Sequence, residues 1–190
     1  MPREDTLRHL SSLYSQSDDP WDHRTSPYEQ AKYDATLDAI GHGPFHDALE
    51  IGCGNGTLLA RLAPRCRSLT GLDCIPAAVA LARQAVATHP HVTVLEACVP
   101  DDLPDGHFDL VVLSEVLYFL TLPDIGRLAA WLQARTSRLV CVNWLGDTGE
   151  SLDGNDAIAA LQQALTCTFG SVEHERYRID VLGCKPASRH

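Results

Sequence analysis

From residue 47 onward the apolar positions come in short unbroken runs, each followed by a longer segment in which apolar residues recur every three or four places. The short runs predict buried strands and the periodic segments predict helices. Strand one covers Ala48 to Ile51, with a helix from Thr57 to Ala63 stopped by Pro64. Strand two, Ser68 to Asp73, precedes a helix from Pro76 to Thr88, and strand three is Val92 to Cys98. Strand four, Phe108 to Ser114, precedes a helix from Pro123 to Thr136, and strand five is Arg138 to Leu145. Strands joined through helices by short connections predict an α/β fold: a single-domain, doubly wound, Rossmann-like and mostly parallel sheet, whose ligand lies beyond the carboxyl ends of the strands.

The two ends of the chain depart from this alternation. Residues 1–41 read as a helical cover in front of a core formed by residues 42–190. The cover comprises a weak helix from Glu4 to Tyr14, a polar linker from Ser15 to Arg24, and a second helix ended by Gly41. Ser26, Pro27 and Glu29 form a capping box for that second helix, the serine hydroxyl taking the amide of the third helical residue, proline filling the first helical position and Glu29 reaching back. After a polar loop, Gly146 to Gly154, a helix runs from Asn155 to about Thr166, and an extended piece follows from Ser171 to Cys184. No Gly, Asn or Pro falls between Val172 and Leu182, so one long antiparallel edge strand and a hairpin pinched near Glu175 are both open.

The chain has 190 residues, 45% of them hydrophobic, enough for one full core. Its 25 acidic and 15 basic residues give a net charge of -10 without a Lys/Arg run, which argues against nucleic acid as a partner. The amino-terminus lacks a charged-then-apolar signal pattern, and the longest apolar stretch, Leu110 to Leu122, is broken by Ser114 and Glu115; the expectation is a cytoplasmic protein without a membrane partner. Seven cysteines include no C-x-x-C, and Cys53, Cys98 and Cys141 fall in apolar segments, which fits a reducing compartment. The nine histidines lack the Cys or Asp neighbours of a metal site, and no metal is expected.

The chemistry concentrates in Ala48-Leu49-Glu50-Ile51-Gly52-Cys53-Gly54-Asn55-Gly56-Thr57-Leu58. Its glycines let the backbone turn sharply, approach a ligand closely and open a helix with its donors exposed. A dinucleotide fingerprint would require glycine at 57, where threonine stands, so an NAD-dependent oxidoreductase is the weaker reading. An acid at 50 followed by glycine at 52, 54 and 56 resembles the E-x-G-x-G-x-G segment of class I S-adenosylmethionine methyltransferases. Asp73, closing strand two, can take both hydroxyls of a ribose. Adenine is expected against Cys74 and Ile75 after strand two and the backbone of Cys98 and Val99 after strand three, with Ser114 at the end of strand four.

A second stretch, Phe108-Asp109-Leu110 through Glu115-Val116-Leu117-Tyr118-Phe119-Leu120, resembles the NodS-like methyltransferases, which methylate an amino nitrogen on a chitooligosaccharide. Asp19-Pro20-Trp21, Arg24-Thr25-Ser26, Tyr28-Glu29-Gln30 and Lys32-Tyr33 are similar to that family's leading segment. The resemblance implies S-adenosylmethionine as cofactor, S-adenosylhomocysteine as product, and a small-molecule acceptor with an amino or hydroxyl group, on a monomer or homodimer. A non-catalytic protein that keeps the cofactor fold is the rival from another class. Glu115, following strand four at the ligand-binding edge, is the candidate to accept the acceptor's proton. Arg24 is the candidate partner of the cofactor carboxylate, and Trp21, Tyr28, Tyr118 and Trp144 are candidates to line the acceptor pocket. Residues 15–32 are expected to fold over the cofactor. One departure limits the transfer of the sugar acceptor: Ile158 stands where the resemblance leads one to expect a histidine.

Overall fold

The computed structural model describes residues 4–183. Helices α1 (Glu4–Gln16) and α2 (Pro27–Ile40) precede β1 (Phe45–Ile51), α3 (Thr57–Leu62), β2 (Cys66–Asp73), α4 (Pro76–Ala85) and β3 (Val92–Glu96). Then come β4 (Leu110–Ser114), α5 (Leu122–Arg135), β5 (Arg138–Trp144), α6 (Gly154–Ala164), β6 (Thr168–Glu173) and β7 (Tyr177–Gly183). The seven strands form one sheet in the order β3-β2-β1-β4-β5-β7-β6. Strands β1 to β5 are parallel and β7 pairs antiparallel with both β5 and β6, giving the expected mixed sheet.

Helices cover both faces of this sheet, which is why its central strands read as continuous apolar runs. Leu110, Val112, Val140 and Val142 pack with Leu37 and Ile40 of α2, Leu58, Leu59 and Leu62 of α3, and Val79 of α4. The alternate residues Val111, Leu113, Leu139 and Cys141 pack on the other face with Ile125, Leu128 and Leu132 of α5 and Ile158 and Leu161 of α6. Each fully buried leucine contributes about 1.5–3 kcal/mol. Ile158 is a core residue, 1% exposed, and has no place in the site.

The carboxyl-terminal segment is a hairpin, with His174, Glu175 and Arg176 connecting β6 to β7. It turns without glycine because the His174 N–H donates to the Tyr177 carbonyl at 2.8 Å and the two rings stack 4.3 Å apart. Several boundaries shift: β1 begins at Phe45, β3 ends at Glu96, and Phe108 makes only an isolated bridge to Thr136 before β4 begins. Helix α4 ends at Ala85, short of Thr88, and the turn that follows is closed by the His89 N–H donating to the Val86 carbonyl. Only the serine half of the capping box on α2 forms: the Ser26 hydroxyl accepts from the Glu29 N–H, while the Ser26 N–H donates to the Asp22 carbonyl at 2.8 Å and the Glu29 carboxylate turns to Lys32 instead of reaching back.

Candidate active site

Parallel register brings the site together. Ile51 of β1 pairs with Leu72 of β2 and with Leu113 of β4, so the next residues, Gly52, Asp73 and Ser114, leave the sheet side by side. All three line a cleft of about 520 Å³ that opens beyond the carboxyl ends of the strands. Gly52 (φ +78°) must be glycine, because a Cβ there would lie 2.1 Å from a Val116 methyl carbon. Asp73 is held by two amides: Gly54 N–H donates to Oδ2 and Ile75 N–H to Oδ1, each at 2.9 Å. Burial raises the Asp73 carboxyl above its ordinary range, against the lowering effect of these amides.

Glu50 also lines the cleft, 1% exposed, and its Oε2 is buried without a partner. Burial first, and then the Asp73 carboxylate, raises its pKa well above the usual value. Cys74, Ile75 and Val99 line the cleft with Ala97, forming the apolar slot expected for adenine. Cys98 is outside this lining, its N–H tied to Asp102 Oδ2 at 3.0 Å, and Ala97 takes its place in the slot. Gly56 is outside as well. At φ +82° it admits helix α4, since a Cβ there would lie 2.7 Å from Ala82 Cα, so its glycine serves packing.

The other end of the cleft carries a charged network. Lys32, 4% exposed, pairs with Glu115 Oε1 at 2.8 Å and with Glu29 Oε2 at 3.0 Å. Tyr118 Oη and the Trp144 N–H each donate to Glu115 Oε2 at 2.8 Å. Both Glu115 oxygens are therefore committed, and Glu115 itself sits at φ +59°, a strained conformation for a side-chain-bearing residue. Burial lowers the Lys32 pKa, but Glu115 and Glu29 more than offset it and the net shift is upward. His23 lies 3.9 Å from Glu29 and stacks on Trp21, its ring centroid 5.5 Å away. Burial lowers the His23 pKa and so favours the neutral imidazole.

Trp21, Tyr28, Tyr118 and Trp144 all line this end, as does Arg176 from the β6–β7 hairpin. Arg24 does not. Its guanidinium is occupied by Asp18, through Oδ2 and the carbonyl at 3.1 Å each, and the residue stays outside the cleft. Sequence reasoning gave the Glu29 carboxylate to the α2 cap where the structure gives it to Lys32, and it passed over His23, Arg176 and the contact that joins the linker to the glycine loop. In that contact Asn55 Nδ2 donates to Asp19 Oδ1 at 2.8 Å, and Asn55 Oδ1 accepts from Thr57 Oγ1 at 2.7 Å. The acid in Asp19-Pro20-Trp21 and the polar residue between Gly54 and Gly56 were the available signals. Among the described residues, no helix is long and apolar enough to cross a membrane.

Residues 4–143 match the family model of nodulation protein S (NodS). The chain is 36% identical to nodulation protein S of Bradyrhizobium diazoefficiens, with 83% of each chain covered. It belongs to the NodS family. A second NodS relative, nodulation protein S of Sinorhizobium fredii, is 35% identical over 59% of this chain and 52% of its own, so here the chain spans about half the relative's length. The crystal structure of the N-methyltransferase NodS from Bradyrhizobium japonicum WM9, in complex with S-adenosylhomocysteine, superposes with a TM-score of 0.84 at 23% identity, covering 95% of this chain and 99% of that one. That likeness concerns the fold. The stretches that resemble NodS in the sequence fall where the cleft is built: Asp19 and Trp21 on the linker, Glu29 and Lys32 on α2, the glycine loop after β1, and Glu115 after β4.

Proposed function

We propose that this NodS-family chain is an S-adenosylmethionine-dependent methyltransferase acting on an amino group of a small molecule. The observation that carries the reading is the Asp73 carboxylate, clasped by the Gly54 and Ile75 amides at the end of β2 and facing the cleft beside the glycine loop. A carboxylate so fixed matches a ribose diol. The orphaned Glu50 oxygen fits a cationic amino group, and the Ile75, Ala97 and Val99 slot fits adenine. The cofactor would thus run from β3 toward β4, with the acceptor beyond it over β5 and β7.

When bound, S-adenosylmethionine supplies an electrophilic methyl group and its own leaving group. What the chain contributes is alignment and exclusion of water. Trp21, Tyr28 and the Lys32 network close the side of the cleft facing the linker. Glu115 holds Lys32 and Tyr118 in place, so its role is positioning. The acceptor nitrogen must attack as a free amine, and His23, which burial keeps neutral, is the lone-pair base available for its proton, with Glu29 at 3.9 Å to offset the imidazolium charge. We place the enzyme in the cytoplasm as a monomer or homodimer.

Calorimetry with S-adenosylhomocysteine and, separately, with NADH tests the cofactor. S-adenosylhomocysteine should bind and NADH should not. Asp73→Ala should weaken S-adenosylhomocysteine by about tenfold or more, the loss of a charge-assisted hydrogen-bond partner. Unchanged affinity in a folded Asp73→Ala variant would remove that residue from the site.

A further inference from the structure

The cleft contains two permanently cationic side chains in opposite circumstances. Lys32 is buried against Glu115 and Glu29, so its charge is matched inside the protein. Arg176 is exposed at the mouth, and among the described residues its guanidinium has no hydrogen-bond or ion-pair partner. It lies over the ring of Tyr28, with Cζ 3.9 Å from the ring centroid. Packing of this kind occupies the face of a guanidinium and leaves its N–H donors at the rim, the edge that pairs bidentately with an oxyanion.

The group is also well placed. The Arg176 carbonyl accepts from the Leu145 N–H at 2.9 Å, and the next residue, Tyr177, meets the edge of Tyr28 with centroids 5.9 Å apart. The Tyr28 hydroxyl is buried without a hydrogen-bond partner. Strand β7 stands three intervals from β1 in the sheet, about 14 Å at the usual strand spacing. Arg176 therefore belongs to the side opposite Asp73. With Lys32 neutralised by Glu115 and Glu29, it is the cation left among the described residues of this lining to meet an anionic group of an acceptor.

We propose that the methyl acceptor carries an oxyanion, a carboxylate or a phosphate, besides its amine, and that Arg176 selects it. The inference rests on the methyltransferase reading, which makes this end the acceptor's. A nearby guanidinium would also favour the unprotonated form of the amine.

The test uses matched probes titrated into the full chain loaded with S-adenosylhomocysteine: β-alanine against propylamine, and phosphoethanolamine against ethanolamine. Each anionic amine should bind at least about tenfold more tightly than its neutral counterpart, as expected for a charge-assisted pair. Arg176→Met, which keeps the apolar stem on Tyr28, should abolish the difference, and Arg176→Lys should keep part of it. Affinity for S-adenosylhomocysteine should be the same in all three proteins. Equal binding within both pairs, or a preference that survives in Arg176→Met, overturns the proposal, while a preference in one pair alone supports it and identifies the anion. A tenfold loss of S-adenosylhomocysteine affinity in Arg176→Met also overturns it, by assigning the guanidinium to the cofactor. Failure of S-adenosylhomocysteine to bind the parent protein would reject the methyltransferase reading, and this proposal with it.

Discussion

At the carboxyl end of β1, Glu50 is buried with one oxygen unpartnered and with a pKa that burial and Asp73 push well above 4.5. A carboxyl raised in the folded state lowers stability as pH climbs from the unfolded value through the folded one. Glu50→Gln should therefore raise Tm at pH 8, and the gain should shrink to nothing as pH falls below 4.5; the same variant should bind S-adenosylhomocysteine more weakly, having lost the partner for its ammonium. Thermal scans across pH, paired with calorimetry, separate the two effects, and a uniform loss of Tm would show that Glu50 is structural. His23 gives a second pH signature. Burial lowers its pKa, so the acidic limb of kcat should fall below 6.5 and disappear in His23→Gln along with most of the rate. A limb that persists in the variant would assign the proton to another group. Glu50, Gly52 and Asp73 were legible in the sequence because each is counted from the end of a strand. The Lys32 network was not, since Glu29 reads as part of the α2 cap and the residue that Lys32 meets is distant in the sequence. Its burial depends on Glu115, 83 residues away.

Among the elements, the close approach of α4 to the start of α3 depends on one backbone position. Gly56 opens α3 in the left-handed region, and Ala82 of α4 packs where its side chain would be. Gly56→Ala should cost about 1–3 kcal/mol through overpacking and lower Tm by several degrees. Because Gly56 does not line the cleft, the folded variant should retain most of its S-adenosylhomocysteine affinity, which calorimetry below the melting range can establish. The three glycines look equivalent in the sequence, and only the packing of α4 tells the third from the first two. The hydroxyl and proline of the α2 cap were legible because they are local signals, whereas the acid is drawn away to Lys32. The β6–β7 hairpin was legible only as one of two readings, with its pinch near Glu175, because it is closed by a ring stack in place of the usual turn residues.

On the scale of the whole molecule, α1, the linker and α2 meet the sheet at the cleft. Leu10 and Tyr14 of α1 pack on Ile75 and Ala78 beside the apolar slot, and the linker is tied to the glycine loop by the Asn55 to Asp19 hydrogen bond. Asn55 is 1% exposed and bonded on both sides, through Nδ2 to Asp19 and through Oδ1 to Thr57. Asn55→Asp keeps the acceptor for Thr57 but sets a second carboxylate against Asp19, turning a hydrogen bond into a repulsion without changing the shape. The linker should then detach while the sheet, whose core this contact does not touch, holds its stability. A ligand present at one hundred times its Kd stabilises the native state by about 2.7 kcal/mol, and a tenfold weaker one at the same concentration by about 1.4 kcal/mol. If the cover completes the cofactor site, S-adenosylhomocysteine at a fixed concentration should therefore raise the Tm of Asn55→Asp by only about half as much as that of the parent. Hydrogen exchange should quicken across residues 10–26 in the variant and stay unchanged in β1, β4 and β5. An equal thermal shift in the two proteins, with the linker exchanging faster, would mean that the cover packs on the core without serving the site.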